Sequence, residues 1–259
     1  MEISKIILYD EPTVPEIQIE KIKKFITDTF QIEAKVKENF FQSTDGRTSE
    51  RIASTRVFDL KKQFKIHNPT QDEVRIEKDN LDTSEKDVMA LYDGFELQNI
   101  ISENIPIIDS ALHIIFTNKL TVTFDEGDFR YHARAIIGSN PAIISTAGII
   151  EAPAKPKQYY LDLMTCFSED KIQEIKEKYK GSFLEYHDSR LNEVAEGYVS
   201  QAILYHLTGE EFCEKKDCRL FNAHWQKDLI YSQIKNKKFC ERHQKIINRV
   251  KNYVGTEFI

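Results

Sequence analysis

The sequence predicts an α+β fold, a single domain over 1–259 in which a mixed sheet comes first and helices follow. The strand-like runs, which are short, apolar or alternating and separated by turn residues, all lie within positions 1–150. Positions 151–259 instead repeat apolar side chains every three to four residues, the period of a helix with one buried face. These two patterns divide the domain into a sheet-rich part and a helical part.

The first elements predict a β–α–β unit. KIILY at 5–9 predicts a strand, and the apolar residues of 15–30 recur at helical spacing. EAKVKENFF at 33–41 predicts the second strand, and a strand–helix–strand order favours parallel pairing.

The middle of the chain is less regular. Residues 43–87 are polar and charged and predict an insertion or long connection, whereas 85–101 predicts a helix. A strand-rich block separated by turn residues follows, and its members are 112–117, 120–125, 130–137 and 142–150. Two prolines in EAPAKPK then end the sheet.

Helical spacing dominates after Tyr159. The predicted helices are 159–167, 168–180, 189–207, 219–234 and 237–254. Ser189 is suited to cap the third of them, because a serine side chain accepts hydrogen bonds from the first free N–H groups of a helix.

Composition excludes several classes of function. The 259 residues are 41% hydrophobic and carry a net charge of −6, which is ordinary for a soluble protein and argues against nucleic-acid binding. The basic run 235–251 is interpreted as a solvated helix face. No run of 18 apolar residues and no signal-peptide pattern occur, so we expect a cytoplasmic protein without a membrane span.

Two short-spaced pairs of metal-binding residue types lie near the C-terminus. Cys213 and Cys218 form C-x4-C, and Cys240 and His243 form C-x2-H. Structural zinc takes four ligands in a tetrahedron, favours thiolate and imidazole, and uses pairs spaced two to four residues apart. The sequence therefore predicts one structural Zn²⁺ at these four residues. The alternative is that the cysteines are small apolar core residues and that His243 is solvated.

His206 lies at the edge of the apolar stripe of the helix predicted over 189–207. A helix offers two metal ligands most easily four positions apart, and Ala202 stands four residues before His206. We therefore expect a core histidine bonded to a backbone or hydroxyl group. A catalytic site at His206 would need donors from elsewhere in the chain, and those available are His132, Glu151, His224 and Glu196.

The stretch HLTGEEFCEKKDC, residues 206–218, resembles the active-site tail of the archaemetzincins. Their pattern H-E-x-x-H-x-x-G-x-x-H-C-x4-C matches at His206, Gly209, Cys213 and Cys218, and their final C-x2-C becomes Cys240 with His243. KIILY, LHIIFTNKLTVTF and PAIISTAGIIEAP resemble the same family more loosely. RYHARAII and EAPAKP are similar to an uncharacterised archaeal family assigned as metallopeptidases. The resemblance implies a metzincin-like domain with a structural zinc site.

Three catalytic positions of the archaemetzincin pattern are replaced. Its first histidine falls on Ala202, its glutamate on Ile203 and its third histidine on Phe212. The family resemblance implies a catalytic zinc on three histidines and a glutamate that activates water, which these residues cannot supply. The sequence therefore predicts a zinc-binding relative without standard peptidase activity that binds a peptide or protein along the former substrate cleft. The alternative is a metal-dependent hydrolase with a remodelled site at His206, which would hold a second Zn²⁺.

Overall fold

The computed structural model describes residues 3–79, 89–106, 108–166 and 168–254, with side chains up to residue 252. The predicted α+β class is confirmed: the described strands all lie between positions 5 and 145, and helices follow. The strands form two sheets rather than one mixed sheet.

The strands are β1 (Lys5–Tyr9), β2 (Glu33–Lys37), β3 (Arg56–Val57), β4 (Leu91–Asp93), β5 (Ala111–Thr117), β6 (Leu120–Asp125), β7 (Arg130–Arg134), β8 (Ile136–Ile137) and β9 (Ala142–Ser145). The α-helices are α1 (Ile19–Phe30), α2 (Gly46–Ser54), α3 (Gln71–Lys78), α4 (Gly94–Asn104), α5 (Thr146–Glu151), α6 (Lys157–Met164), α7 (Glu169–Tyr179), α8 (Leu191–Thr208), α9 (Gln226–Ile230) and α10 (Glu241–Val254). A π-helical turn, Tyr231–Asn236, continues α9.

The five-stranded sheet has the order β2-β1-β5-β9-β8. Its first four strands are parallel, as the β–α–β prediction requires for β1 and β2, and β8 pairs antiparallel at the edge. Every residue of β5 is buried, which explains its nearly continuous apolar sequence. One face of the sheet packs on α1 and α8, and this core extends to α10 through Ile247.

The four-stranded sheet has the order β3-β4-β6-β7. β6 follows β5 after two residues, so the chain passes directly from one sheet to the other. β7 and β8 are separated by Ala135 alone, and this segment therefore forms an edge of both sheets.

The charged segment 43–87 is more ordered than a connection where it is described. It contains α2, β3 and α3, and Glu77 on α3 is buried. Oε2 of Glu77 accepts from Nζ of Lys119 at 2.6 Å, Oε1 accepts from the Tyr92 hydroxyl at 2.7 Å, and Arg56 bonds the same carboxylate. Charged residues in this segment thus hold it against the second sheet. Residues 80–88 lie outside the described part.

Several predicted elements are wrong in part. The helix predicted over 219–234 begins only at Gln226, and the strand predicted over 33–41 ends at Lys37. The helix predicted over 85–101 begins only at Gly94, because Leu91–Asp93 pairs with β6 and the Asp93 carboxylate accepts from the first N–H groups of α4. The strand predicted over 142–150 ends at Ser145, whose hydroxyl accepts from the Gly148 N–H and starts α5. Gly148 allows this helix to approach β7, since a Cβ there would collide with the Arg134 carbonyl oxygen.

The helical half is built around α8. Twelve of its 18 residues are buried, so it is a core helix rather than a surface helix. Ser189 does not cap it: Arg190 occupies the cap position without a side-chain bond, and Asp188 accepts from the Arg190 N–H at 2.9 Å instead. None of the described helices is both long enough and apolar enough to cross a membrane.

Candidate metal centre

Four potential ligand atoms converge between the end of α8 and the start of α10. The sulfur atoms of Cys213, Cys218 and Cys240 and one ring nitrogen of His243 all lie within 4.8 Å of one another. Nδ1 of His243 is 3.4 Å from Sγ of Cys218 and 3.0 Å from Sγ of Cys240. The structure thus brings together the four residues that the spacing singles out.

The first pair lies in a tight loop after α8. The helix ends at Gly209, whose φ of 71° lets the chain turn away. Cys213 donates its N–H to the Leu220 carbonyl at 2.8 Å and accepts from the Asn222 N–H at 2.9 Å, which closes the loop. These bonds point both cysteines toward the same space.

The second pair stands at the start of α10. Cys240 directly precedes the helix, and its carbonyl accepts from the Gln244 N–H at 2.9 Å. His243 is in the first turn, so both side chains leave the same end of the helix. The N–H of Arg219 donates to the Lys238 carbonyl at 2.6 Å and ties the two ligand segments together.

Backbone N–H groups point at two of the sulfur atoms. The Lys215 N–H lies 3.4 Å from Sγ of Cys213, and the Cys240 N–H lies 3.4 Å from Sγ of Cys218. Such donors stabilise sulfur in its ionised form and orient it toward a bound cation. At Cys218 this N–H contact acts against the burial of the sulfur, which disfavours the ionised form.

The pKa values of the donors reflect burial and these contacts. Burial raises the pKa of the Cys218 thiol to about 12. Burial also acts to raise the pKa of Cys240, but the His243 N–H and the neighbouring thiols outweigh it and lower that pKa. Burial lowers the pKa of His243, which favours the neutral imidazole that can offer a lone pair. A cation at the centre would favour ionisation of all three thiols.

The donor set fits zinc. Bonds of about 2.3 Å to sulfur and about 2.05 Å to nitrogen, at tetrahedral angles, place the two ligand atoms about 3.5 Å apart. The sulfur–nitrogen distances of 3.4 and 3.0 Å are close to that value. Three thiols and one imidazole would complete the coordination of the ion, with no position left for water or substrate.

A family comparison agrees with a metal-related role. Residues 2–250 match the family model described as "Probable metallopeptidase family (DUF6775)". The chain belongs to this family. None of the curated proteins matches it.

A zinc-dependent peptidase from Methanocorpusculum labreanum (strain Z) is among the solved structures similar to this family member. The identity is 9%, the match covers 94% of this chain and 100% of that chain, and the TM-score is 0.44.

In this family member the proposed partners of His206 do not converge. Within the described ranges, only two groups of three or more histidine, cysteine or acidic residues have donor atoms within 4.8 Å, and His206, Glu151 and His224 belong to neither. His206 is half-buried in the last turn of α8, where burial lowers its pKa, and none of the described residues forms a hydrogen bond with its ring. Glu151 faces Lys155 at 3.5 Å, and His224 is exposed.

The second group consists of Asp125, Asp128 and His132, on the hairpin formed by β6 and β7. The two aspartates are exposed. Asp128 is already bonded to His132 at 2.9 Å and to Arg130 at 2.8 Å. Sequence reasoning considered His132 but missed these carboxylates, which lie four and seven positions before it.

The positions that the archaemetzincin resemblance aligns with catalytic residues make apolar contacts here. Ala202 is 1% exposed and Ile203 is fully buried. Phe212 packs edge-on against Tyr198, with 6.1 Å between ring centroids. Apolar contacts occupy the places where the archaemetzincin pattern has two histidines and a glutamate.

Sequence reasoning also missed Arg219. This residue follows Cys218 directly, and its buried guanidinium bonds to Glu193 and Glu196 on α8. Its only sequence signal was a positively charged residue next to a predicted metal ligand. Surface loops often contain such a residue, so the signal is not specific. Burial, which the sequence does not display, distinguishes Arg219.

Proposed function

We propose that this family member binds one structural Zn²⁺ through Cys213, Cys218, Cys240 and His243. The observation that carries the proposal is the convergence of their four donor atoms within 4.8 Å. A closed set of four protein ligands stabilises a fold rather than activating water. The ion would join the loop after α8 to α10 and would contribute folding free energy. The archaemetzincin resemblance supports the same site, because it places C-x4-C directly after the helix.

We further propose that the protein lacks standard zinc-peptidase activity. Water activation needs a carboxylate beside a metal with an open position. Ala202, Ile203 and Phe212 offer neither ligand nor base, and Ala202 and Ile203 are closed off in the core. The function proposed instead is binding of a peptide or protein segment.

A groove beside α8 suits that role. It has a volume of about 110 Å³ and lies between the β7–β8 segment and residues 221–224. Tyr198 and Phe212 are among its lining residues, and we call it the aromatic groove. This volume is below the roughly 300–1,000 Å³ of sites that enclose a whole small molecule, so it suits a single side chain of a bound segment. The β7–β8 segment is an edge of both sheets, and an edge offers backbone hydrogen bonds to an extended peptide. A bound segment would insert one side chain between the strand edge and the loop after α8 that holds Cys213 and Cys218, which we call the metal loop.

The proposed setting is the cytoplasm. All four cysteines are free, and three of them converge without forming a disulfide. A reducing compartment keeps such thiols available to zinc.

Metal counting tests the proposal. Elemental analysis of protein purified without added metal should give about one zinc per chain for a single four-ligand site. About two zinc ions per chain, together with cleavage of casein, would support the remodelled hydrolase centred on His206. Protein that folds normally and contains no zinc would exclude the structural site.

A further inference from the structure

A second groove lies between the end of α8, the loop that follows it and the exposed face of α10. Its volume is about 530 Å³, within the range of sites that hold small ligands or short peptide segments. Four cationic side chains line it: Lys215 of the metal loop and Arg242, Lys245 and Arg249 of α10. We call it the basic groove.

The spacing of residues on α10 creates this face. Residues three, four and seven positions apart share one side of a helix. His243 and Ile247 are buried against the core, and Arg242, Lys245 and Arg249 are exposed on the opposite side. The metal ligand and the groove cations therefore occupy two faces of the same helix.

The basic groove has an excess of two positive charges. Its acidic residues are Glu210, which pairs with Arg242, and Glu241, which pairs with Lys245 at 2.6 Å. Within the described part of the chain, Lys215 and Arg249 take part in no ion pair. Exposed pairs of this kind stabilise a protein by about 0–1 kcal/mol, so a partner's carboxylates can replace Glu210 and Glu241 at low cost. This local excess contrasts with the net charge of −6 of the whole chain.

We propose that the basic groove docks an acidic segment of a partner protein. Arg242 and Arg249 are seven residues apart on α10, which corresponds to about 10 Å along the helix axis. Three to four residues of extended chain cover this distance, at about 3.4 Å per residue. Ile246 lies between the cations and offers an apolar contact for one side chain of the segment.

The composition of the groove favours a peptide over a nucleic acid. None of its lining residues is aromatic, so bases would find no stacking surface. Glu210 and Glu241 would repel a continuous row of phosphates, whereas a peptide can place its carboxylates only opposite the cations. The acidic chain as a whole also opposes the approach of a polyanion.

This groove is separate from the aromatic groove at Tyr198 and Phe212, and none of its lining residues is shared with it. The docking proposal depends on the cations and does not require that the aromatic groove bind anything. The zinc content of each preparation is measured as well, so that loss of peptide binding through loss of the metal can be distinguished from loss of binding at the basic groove.

Fluorescence anisotropy with a labelled peptide of glutamates around a central leucine tests the proposal on the metal-loaded full chain. We expect wild-type protein to bind this peptide, with an affinity that falls as salt is added. Lys245→Glu combined with Arg249→Glu should weaken binding by about tenfold or more, and the neutral pair Lys245→Gln and Arg249→Gln should give an intermediate loss.

The matched control is Lys171→Glu combined with Lys176→Glu, which changes the net charge equally at two exposed positions of α7. It should change the affinity by less than about twofold at physiological salt, since screening limits the reach of distant charges. An equal loss in both double variants would show non-specific attraction and overturn the proposal. Failure of the wild-type protein to bind the peptide would also overturn the proposal. So would a single-stranded oligonucleotide that displaces the peptide from the wild type and binds the groove variants more weakly.

Discussion

Nη2 of Arg219 lies 2.9 Å from Oε2 of Glu196, which ties the residue after Cys218 to α8. The same nitrogen donates to the Glu193 carbonyl at 2.7 Å, and the guanidinium stands over the Phe25 ring at 5.0 Å. Only 5% of the Arg219 side chain is exposed. The metal loop, α8 and α1 are thus joined through this buried cation.

Arg219→Ala should lower the free energy of unfolding by about 3 kcal/mol, because it leaves a partly buried carboxylate without its cation. Glu196→Gln keeps a hydrogen-bond acceptor and should cost about 1 kcal/mol. Urea unfolding measures both. Arg75→Ala, at an exposed pair with Asp72, is the control and should cost less than about 0.5 kcal/mol. If Arg219→Ala also released zinc, the loss of unfolding free energy would be due to loss of the metal rather than to loss of the contact between Arg219 and Glu196.

The cysteine ligands give a second prediction. Cys240→Ser should release the zinc and lower the Tm by about 10 °C, corresponding to roughly 3 kcal/mol in a domain of this size. Cys166→Ser is the matched control, since Cys166 lies outside the cluster in the turn after α6. Calorimetry should give the wild-type Tm for Cys166→Ser, and elemental analysis should give the wild-type zinc content. Equal stability of the two variants would rule out a structural ion.

The buried Glu77 gives a third prediction, which concerns acid stability. Burial acts to raise its pKa, but Lys119 and Arg56 outweigh burial and hold the pKa below the ordinary value. The resulting stabilisation is present above the unfolded pKa of about 4.3 and is lost as the pH falls through the lowered folded value.

Glu77→Gln should therefore lower stability at pH 7 by about 3–5 kcal/mol, since it leaves the buried Lys119 without its ion-pair partner and Arg56 with Glu73 alone, at 3.4 Å. It should also weaken the dependence of stability on pH below about 4.3. Urea unfolding at several pH values measures both effects. Glu103→Gln, at the exposed pair with Arg51, should change stability by less than about 1 kcal/mol. A Glu77 variant that matches this control would contradict a net stabilising role for the buried cluster.

Patterns among residues that are close in sequence were enough to predict some elements, but not those that depend on contacts between distant residues. Cys213 with Cys218, and Cys240 with His243, each lie within one loop or turn, so spacing alone indicated their convergence. β1 and α1 follow from apolar periodicity. The strand predicted over 142–150 failed because α5 depends on the Ser145 hydroxyl and on close contact between Gly148 and the distant Arg134 carbonyl. The division into two sheets arises because β5 and β6 follow each other closely but pair with different strands, which the apolar pattern of neither strand reveals.

The two proposed functions, peptide binding and metal-dependent hydrolysis, predict different effects of substitutions in the aromatic groove and at His206. If the protein binds peptide segments at the aromatic groove, Phe212→Ala should weaken binding of labelled casein by about tenfold, because it removes one wall of the side-chain pocket. His206→Ala should leave binding unchanged, since His206 does not line that groove. Zinc content should stay at the wild-type level in both variants, which excludes an effect through Cys213. Cleavage of casein by the wild type that disappears in His206→Ala would instead assign the protein as a remodelled metal-dependent hydrolase.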